Sequence, residues 1–340
     1  MAVLRAALPQ SLRAGTMPAD TARRHPGTPL GEDMSLQARL IQASSRLLIK
    51  RRPRDMAKAV RHFRRVARPL FPTLLPRGFA AHDDTVGGVP CARLRGGPSA
   101  RSILYLHGGG FVAGRPETYF NFSSRLGALL GAEALLPRYR LAPEHPFPAA
   151  VEDALAVYRA LLDEGREAAD VVVVGDSAGG CLVLSLLLAA REAGLPLPAA
   201  GCAISPVADQ AYSGGSYTRN DRSDPMLTEA IIGHFRQAYT PTPEQQQDPL
   251  ASPLRGDFAG LPPLLLTVSQ DECLYDHSLQ VAAKAREAGV PVALLERPGL
   301  VHIWPVLVPY LPEAREDLRW IADRLRAALD GAGGAIGEQA

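Results

Sequence analysis

A serine between small residues is the first feature of the sequence with an evident chemical use. The motif GDSAG (175–179) fits the pattern G-x-S-x-G; it follows four valines and precedes an apolar stretch. Where this pattern joins a buried strand to a helix, the strained turn holds the serine hydroxyl above the sheet as a nucleophile. The alternative is a glycine-rich turn with no chemical role. The flanking segments favour Ser177 as a nucleophile.

Three consecutive glycines after another apolar run could stabilise the anion that such a nucleophile creates. Residues 107–110 read HGGG and follow the run ILYL. Acyl transfer places negative charge on a carbonyl oxygen, and backbone N–H groups are fixed donors for that charge. We expect the N–H groups of Gly108, Gly109 and Ala178 to form this oxyanion hole, with His107 bracing the loop. A phosphate-binding loop is the alternative, but its lysine and its serine or threonine are missing here.

The base and the acid that would activate the serine lie closer to the carboxyl end of the chain. Asp271, Glu272 and Asp276 follow the apolar run PLLLTVS, and His302 lies in a loop after the run PVALLE. A histidine in this role accepts the serine proton, and a carboxylate fixes its tautomer and balances its charge. The residues alone leave the choice among the three acids open.

Strands alternating with helices must bring these segments together. From about residue 101, apolar runs of strand length alternate with stretches of helical periodicity. This alternation predicts a mostly parallel sheet covered by helices on both faces. With the order serine, acid, histidine, it predicts the α/β-hydrolase fold. Between Pro206 and Pro262 the alternation stops, which indicates an insertion over the sheet.

The rest of the chain divides into segments around this unit. Residues 34–76 read as two N-terminal cap helices, the first with an apolar face of Leu36, Leu40, Ala43 and Leu47. We expect a catalytic domain over 77–330 with its cap insertion at about 206–262. The segments 1–33 and 331–340 lack periodicity and are expected to be disordered or flexible, and Met17 or Met34 could be the true start.

Six stretches resemble the hormone-sensitive lipase-like family of α/β hydrolases, also called bacterial family IV carboxylesterases. They read HGGGF (107–111), YRLAPEHPFPAA (139–150), GDSAGG (175–180), DPLASPL (248–254), LPPLLL (261–266) and GLVHIW (299–304). In that family the catalytic acid opens a D/E-x-L-x-D pattern, which is ECLYD (272–276) here. The resemblance therefore selects Glu272, with Asp271 as the runner-up because aspartate is the commoner family residue.

Composition narrows the function classes. The 340 residues carry a formal net charge of +2, too small to argue for nucleic acid or an acidic substrate as a partner. No apolar run reaches the roughly 18 residues needed to span a bilayer. The four cysteines lack metal-ligand spacing and are too few for a disulfide framework, which favours a cytoplasmic protein. No metal or organic cofactor is implied.

Basic residues are concentrated in the predicted cap, where ten Lys or Arg residues lie from position 46 to position 68. Such a segment could bind an anionic membrane surface, or it could be the solvated face of a lid. The resemblance favours the lid, with Leu36, Leu40 and Phe63 shaping an acyl pocket. Phe111 and Trp304 flank the catalytic loops and could line the same pocket or belong to the core.

These features predict a serine carboxylesterase that acts on a small-molecule ester through an acyl-enzyme, and the resemblance implies short to medium acyl chains. Hydrolysis of amides or N-acetyl groups by the same residues stays open, because pocket shape selects the leaving group. A non-catalytic small-molecule receptor on this scaffold is a third alternative, opposed by the presence of the serine, acid and histidine together. The resemblance also implies a homodimer formed through the last strand, PVALLE (291–296).

Overall fold

The computed structural model describes residues 34–50, 53–67, 73–212, 214–331 and 333. The predicted disordered segment 1–33 and most of the predicted tail 331–340 lie outside these residues.

An eight-stranded sheet forms the centre of the protein. Its strands are β1 (Ala80–Val86), β2 (Val89–Arg95), β3 (Ser102–Leu106), β4 (Glu133–Pro137), β5 (Val171–Asp176), β6 (Ala200–Ile204), β7 (Leu264–Ser269) and β8 (Val292–Arg297). They lie in the order β1-β2-β4-β3-β5-β6-β7-β8. The first two strands pair antiparallel, β2 is also antiparallel to β4, and β3 to β8 run parallel. The predicted mostly parallel sheet is confirmed.

Helices cover both faces of this sheet, and together with it they form what we call the body. The covering helices are α3 (Phe120–Leu130), α4 (Ala149–Asp163), α5 (Ala178–Glu192), α9 (Tyr275–Glu287) and α10 (Pro312–Leu329). Because successive side chains of a strand point to opposite faces, the valines of β5 divide between two cores. Val171 and Val173 pack with α4, α5 and α9, whereas Val172 and Val174 pack with α3 and α10.

The described residues form five further α-helices that lie outside the body. Two precede the sheet, α1 (Leu36–Leu48) and α2 (Met56–Val66), and we call this pair the N-terminal cap. Three connect β6 to β7, namely α6 (Ser216–Arg219), α7 (Glu229–Tyr239) and α8 (Pro243–Gln247), where the sequence indicates an insertion. Helix α2 packs on α7 through Phe63 and Phe235, whose ring centroids are 4.8 Å apart. In the part of the chain that the structure describes, no helix combines the length and the apolar character needed to cross a bilayer.

Helix α1 faces the opposite way from the sequence-based prediction. Leu36, Leu40 and Leu47 are 69%, 61% and 67% exposed, whereas Ala38 and Ser45 on the other side are buried. The prediction that Leu36 and Leu40 shape an acyl pocket is therefore wrong. Phe63 of α2 does face the cavity described below.

Hydrogen bonds on the inward side of α1 explain this orientation. Ser35 caps the helix, and its N–H and hydroxyl donate to the Glu313 carboxylate at 2.9 and 3.0 Å. The Gln42 amide donates to the carbonyl of Gly299. Lys50 Nζ donates to three carbonyl oxygens of residues 221, 222 and 224 at 2.6–3.0 Å. These hydrogen bonds, to the body and to the insertion, lie on the same side of the helix as Ala38, which joins the core under α10.

Candidate active site

A sharp turn between β5 and α5 presents Ser177. Strand β5 ends at Asp176 and α5 begins at Ala178, so one residue makes the whole connection. Ser177 has φ of 55° and ψ of −116°, a strained backbone conformation for a residue with a side chain. A Cβ atom at Gly179 would lie 1.9 Å from the Leu106 carbonyl oxygen, which explains the glycine that follows. Ser177 lines a cavity at the carboxyl edge of the sheet.

His302 meets a buried carboxylate in the loops that follow the last two strands. Its Nδ1 lies 3.0 Å from Glu272 Oε2, and both side chains are buried. Because the carboxylate accepts the Nδ1 proton, Nε2 is the acceptor nitrogen of the neutral ring. This Nε2 has no hydrogen-bond partner among the described residues, and His302 lines the same cavity as Ser177.

The carboxylate also controls the protonation of the ring. Burial by itself would lower the pKa of His302, since it disfavours the charged imidazolium. The charge and the hydrogen bond of Glu272 outweigh burial, so the pKa of His302 is raised above its ordinary value. An imidazole in this setting is a stronger base than an isolated one.

The other two candidate acids are engaged elsewhere. Asp271, the runner-up, accepts a hydrogen bond from the Gly299 N–H at 2.6 Å. Asp276 accepts from the Ser216 N–H at 2.8 Å and pairs with Arg219 at 3.0 Å. Of the three acids that follow β7, Glu272 is the one whose carboxylate contacts His302.

In the glycine-rich loop, one N–H group that was predicted to be an oxyanion donor is already hydrogen-bonded. The N–H of Gly108 donates to Asp176 Oδ1 at 2.9 Å in a buried contact, so it is not available to a substrate. The prediction for Gly108 is therefore wrong. Gly109 and Gly110 line the cavity beside Ser177, and no hydrogen bond within the described residues uses their N–H groups.

The third predicted donor is at the start of a helix. Ala178 is the first residue of α5, where an N–H has no acceptor within the helix. Among the described residues, none accepts a hydrogen bond from the N–H groups of Gly109, Gly110 or Ala178, so these three can serve as oxyanion donors. The sequence-based prediction missed Gly110 because the motif does not show that the N–H of Gly108, the first glycine, donates to a side chain 68 positions away.

The cavity encloses about 190 Å³ and its wall is mostly apolar. Its lining includes Phe63, Phe111, Leu227, Ile232, Phe235 and Leu274. These side chains come from the N-terminal cap, the insertion and the loops of the body. The cavity is therefore closed by both segments that the sequence places outside the alternating pattern.

Comparisons with known proteins agree with this architecture. Residues 103–306 match the model of a family with the α/β-hydrolase fold. An acetyl-hydrolase from Streptomyces hygroscopicus is 43% identical over 67% of this chain and 76% of its own length. A putative acetyl-hydrolase from Mycobacterium tuberculosis is 33% identical over 75% of this chain and 82% of its own. A crystal structure of an esterase from the bacterial hormone-sensitive lipase family superposes with a TM-score of 0.81 at 34% identity, over 87% of this chain and 99% of the other.

The chain belongs to the hormone-sensitive lipase-like family of α/β hydrolases.

Two residues of the family motifs brace the loops of this hydrolase. Asp176 accepts from the Tyr105 hydroxyl at 2.7 Å as well as from the glycine loop, and burial raises the pKa of Asp176 to about 6. His107 stacks on Tyr139 with ring centroids 4.3 Å apart, and its carbonyl accepts from the Tyr139 hydroxyl at 2.6 Å. Burial lowers the pKa of His107 to about 4, so the ring is neutral. His107 braces the loop, as predicted.

The two aromatic residues beside the catalytic loops of the hydrolase have different surroundings. Phe111 lines the cavity and stacks on Tyr239, with ring centroids 3.5 Å apart. Trp304 belongs to the core under α10, where its indole N–H donates to Asp317 Oδ2 at 2.7 Å. The pocket role predicted for Trp304 is wrong, because a satisfied indole N–H and complete burial hold the ring away from the cavity.

Proposed function

We propose that this carboxylic ester hydrolase cleaves short- to medium-chain esters through an acyl-enzyme formed on Ser177. His302 acts as general base and general acid, and Glu272 orients it. One observation carries the proposal. His302 holds a buried carboxylate on Nδ1 at 3.0 Å, while its free Nε2 and Ser177 belong to the wall of one cavity.

The reaction follows from these positions. Ser177 Oγ attacks the ester carbonyl carbon while His302 Nε2 accepts the hydroxyl proton. The electron pair of the C=O bond moves to the oxygen, which accepts hydrogen bonds from the N–H groups of Gly109, Gly110 and Ala178. As the tetrahedral intermediate collapses, the alcohol leaves with the proton from His302. A water molecule, deprotonated by the same nitrogen, then releases the carboxylic acid and restores Ser177.

Two features support an acyl group of modest size. The cavity of about 190 Å³ has an apolar wall, which suits a hydrocarbon chain. Two relatives are named acetyl-hydrolases. That name covers O-acetyl and N-acetyl groups alike, so hydrolysis of an N-acetyl group is the second candidate.

The decisive experiment combines labelling with substitution. An organophosphonate is expected to inactivate the enzyme with one label on Ser177, located by peptide mass spectrometry. Ser177→Ala should lower kcat/KM for p-nitrophenyl acetate by about 10⁴-fold or more. Ser44→Ala, at an exposed position of α1, is the matched control and should keep full activity. Retained hydrolysis in Ser177→Ala would discard the proposal.

The same preparation separates the two candidate leaving groups and measures the acyl chain preference. Rates on p-nitrophenyl acetate, butyrate and octanoate give the profile against chain length, and p-nitroacetanilide presents the same acetyl group as an amide. A higher kcat/KM on the anilide than on the acetate ester would move the assignment to N-acetyl hydrolysis.

We also propose a cytoplasmic homodimer. The four cysteines, Cys91, Cys181, Cys202 and Cys273, are buried and unpaired, which suits a reducing compartment. β8 is an edge strand of the sheet, and an edge strand can pair with a second copy. Sedimentation velocity should show a dimer that Leu294→Pro, on β8, converts to a monomer. A monomer in the unmodified protein would remove this proposal.

A further inference from the structure

The outward face of α1 is a stripe of leucines. Leu36, Leu40 and Leu47 are spaced so that they share one side of the helix, and this side lies at the centre of the exposed face. Leu48, 53% exposed, borders them. Single exposed leucines are common on protein surfaces, whereas a contiguous apolar stripe marks a surface that meets something else.

The outward face of α2 is basic. Its exposed basic residues include Lys58, Arg61 and Arg65 at helical spacing, and the exposed Arg54 precedes the helix at the same spacing. Lys58 pairs with Asp55, the N-cap residue of α2, at 3.0 Å, and the structure gives the other three no ion pair with a described residue. The two helices adjoin each other, since His62 of α2 lies 3.3 Å from the Ile49 carbonyl oxygen at the end of α1. The N-terminal cap therefore combines an apolar and a cationic outer surface.

From residue 34 onwards, the charge of the chain is divided along the same boundary. Residues 34–68 contain 11 Lys or Arg residues and a single acid, whereas residues 69–340 contain 22 basic and 31 acidic residues. A negatively charged surface would attract the N-terminal cap and repel the body. Such a distribution orients the protein with its cap towards the surface.

We propose that the outer face of the N-terminal cap binds the surface of an anionic lipid bilayer. Helix α1, about 20 Å long, lies in the plane of the interface with its leucines among the acyl chains. The basic residues of α2 contact the lipid headgroups. The family resemblance favours a solvated lid face for this basic segment, but the outward orientation of the α1 leucines favours a membrane-binding face.

A second copy of the chain fits this face less well. Contact between two α1 stripes would bring two strongly basic caps together. Contact with the body would need an apolar patch there, but among the described residues the exposed large hydrophobic side chains outside α1 are Leu74 and Leu129. Lipid offers both the apolar interior and the negative headgroups.

The bilayer would lie next to the helices that close the cavity. Ile49, Phe63 and Val66 of the same cap segment line it from the inner side. Binding itself does not depend on the catalytic roles of Ser177 and His302, so the two proposals can fail separately.

Vesicle co-sedimentation of the full chain tests the proposal. We expect binding to vesicles of phosphatidylcholine mixed with phosphatidylglycerol, weaker binding to phosphatidylcholine alone, and loss of binding as salt rises. Leu40→Gln with Leu47→Gln should weaken binding by roughly tenfold or more. Arg61→Gln with Arg65→Gln should weaken it by roughly fivefold for each arginine.

Matched substitutions on the body distinguish binding by the cap surface from non-specific adsorption of the protein to vesicles. Leu129→Gln and Arg159→Gln change exposed residues of the same types outside the cap and should leave binding unchanged. All variants should hydrolyse a water-soluble ester at the unmodified rate, which shows that they are folded. The proposal is overturned if the cap and body variants bind alike, or if no vesicle binds the protein. It is also overturned if the α1 leucines are required only for self-association in lipid-free sedimentation velocity.

Discussion

The body and the N-terminal cap bury their apolar residues in opposite ways. In the body, the four valines of β5 are fully buried between helices on both faces of the sheet. In the cap, α1 exposes Leu36, Leu40 and Leu47. Its hydrogen bonds to the rest of the protein include those of Ser35, Gln42 and Lys50.

The difference shows what an apolar pattern specifies. A strand inside a covered sheet has no exposed side, so an apolar run there predicts burial directly. A helix on the surface has two sides, and its pattern predicts the helix without stating which side meets the protein. For α1, hydrogen bonds to the body and to the insertion lie on the side that also buries Ala38. The four predictions below compare buried sites of the body with the exposed stripe of the cap.

The largest effect is expected where the loops of the body meet. Glu272→Gln should lower kcat/KM by roughly 10³- to 10⁴-fold, because the carboxylate no longer fixes the tautomer or balances the imidazolium. Asp271→Asn, its neighbour, should cost less than about tenfold, since that carboxylate holds the Gly299 N–H instead. Steady-state kinetics on p-nitrophenyl acetate measure both, and equal losses would contradict the assignment.

The buried strands of the body should be sensitive to truncation. Leu104 of β3 is fully buried, so Leu104→Ala should lower the free energy of unfolding by about 2–5 kcal/mol through lost burial and a residual cavity. Urea denaturation followed by circular dichroism gives this value. A change below about 1 kcal/mol would show that the sheet repacks around the smaller side chain.

The pH dependence tests the buried pair in the body. Activity needs the neutral form of His302, so kcat/KM should fall as pH drops through the pKa of this residue. Glu272 raises that pKa, so the midpoint should lie above about 6.5. In Glu272→Gln the largest contributions that raise the pKa of His302 are lost and only the smaller ones of Asp224 and Asp176 oppose burial, so the midpoint should move to lower pH. Each pH unit of that movement corresponds to about 1.4 kcal/mol less stabilisation of the imidazolium. If the midpoint does not move in the variant, protonation of His302 is not the cause of the loss of activity at low pH.

The smallest effect is expected on the exposed stripe of the cap. Leu40→Gln with Leu47→Gln should change the free energy of unfolding by less than about 0.5 kcal/mol per substitution, because both side chains already contact solvent. The same urea titration applies, with Leu104→Ala as the sensitive reference. A loss as large as that of the reference would mean that the stripe is buried in solution.

Two other sequence-based predictions were wrong for the same reason as the predicted orientation of α1. The motif HGGG contains three glycine N–H groups, and the sequence does not show which of them can donate to an oxyanion. The N–H of Gly108 cannot, because it donates to Asp176. Trp304 adjoins His302 in sequence, but the carboxylate of Asp317 holds its indole in the core under α10. The deciding partner is 68 positions away in the first case and 13 in the second, and neither belongs to the motif from which the prediction was made.

The sequence by itself determined the family, the sheet and the segments that approach one another. It could do so because a tight turn after Asp176, a glycine-rich loop and buried parallel strands are local requirements of the backbone. The tertiary structure alone decided which amides stay free and which side of α1 meets the rest of the protein. For the acid, the residues after β7 left three candidates, the family resemblance selected Glu272, and the structure shows its contact with His302. Those outcomes depend on competition between hydrogen-bond partners and burial at sites that only folding brings together.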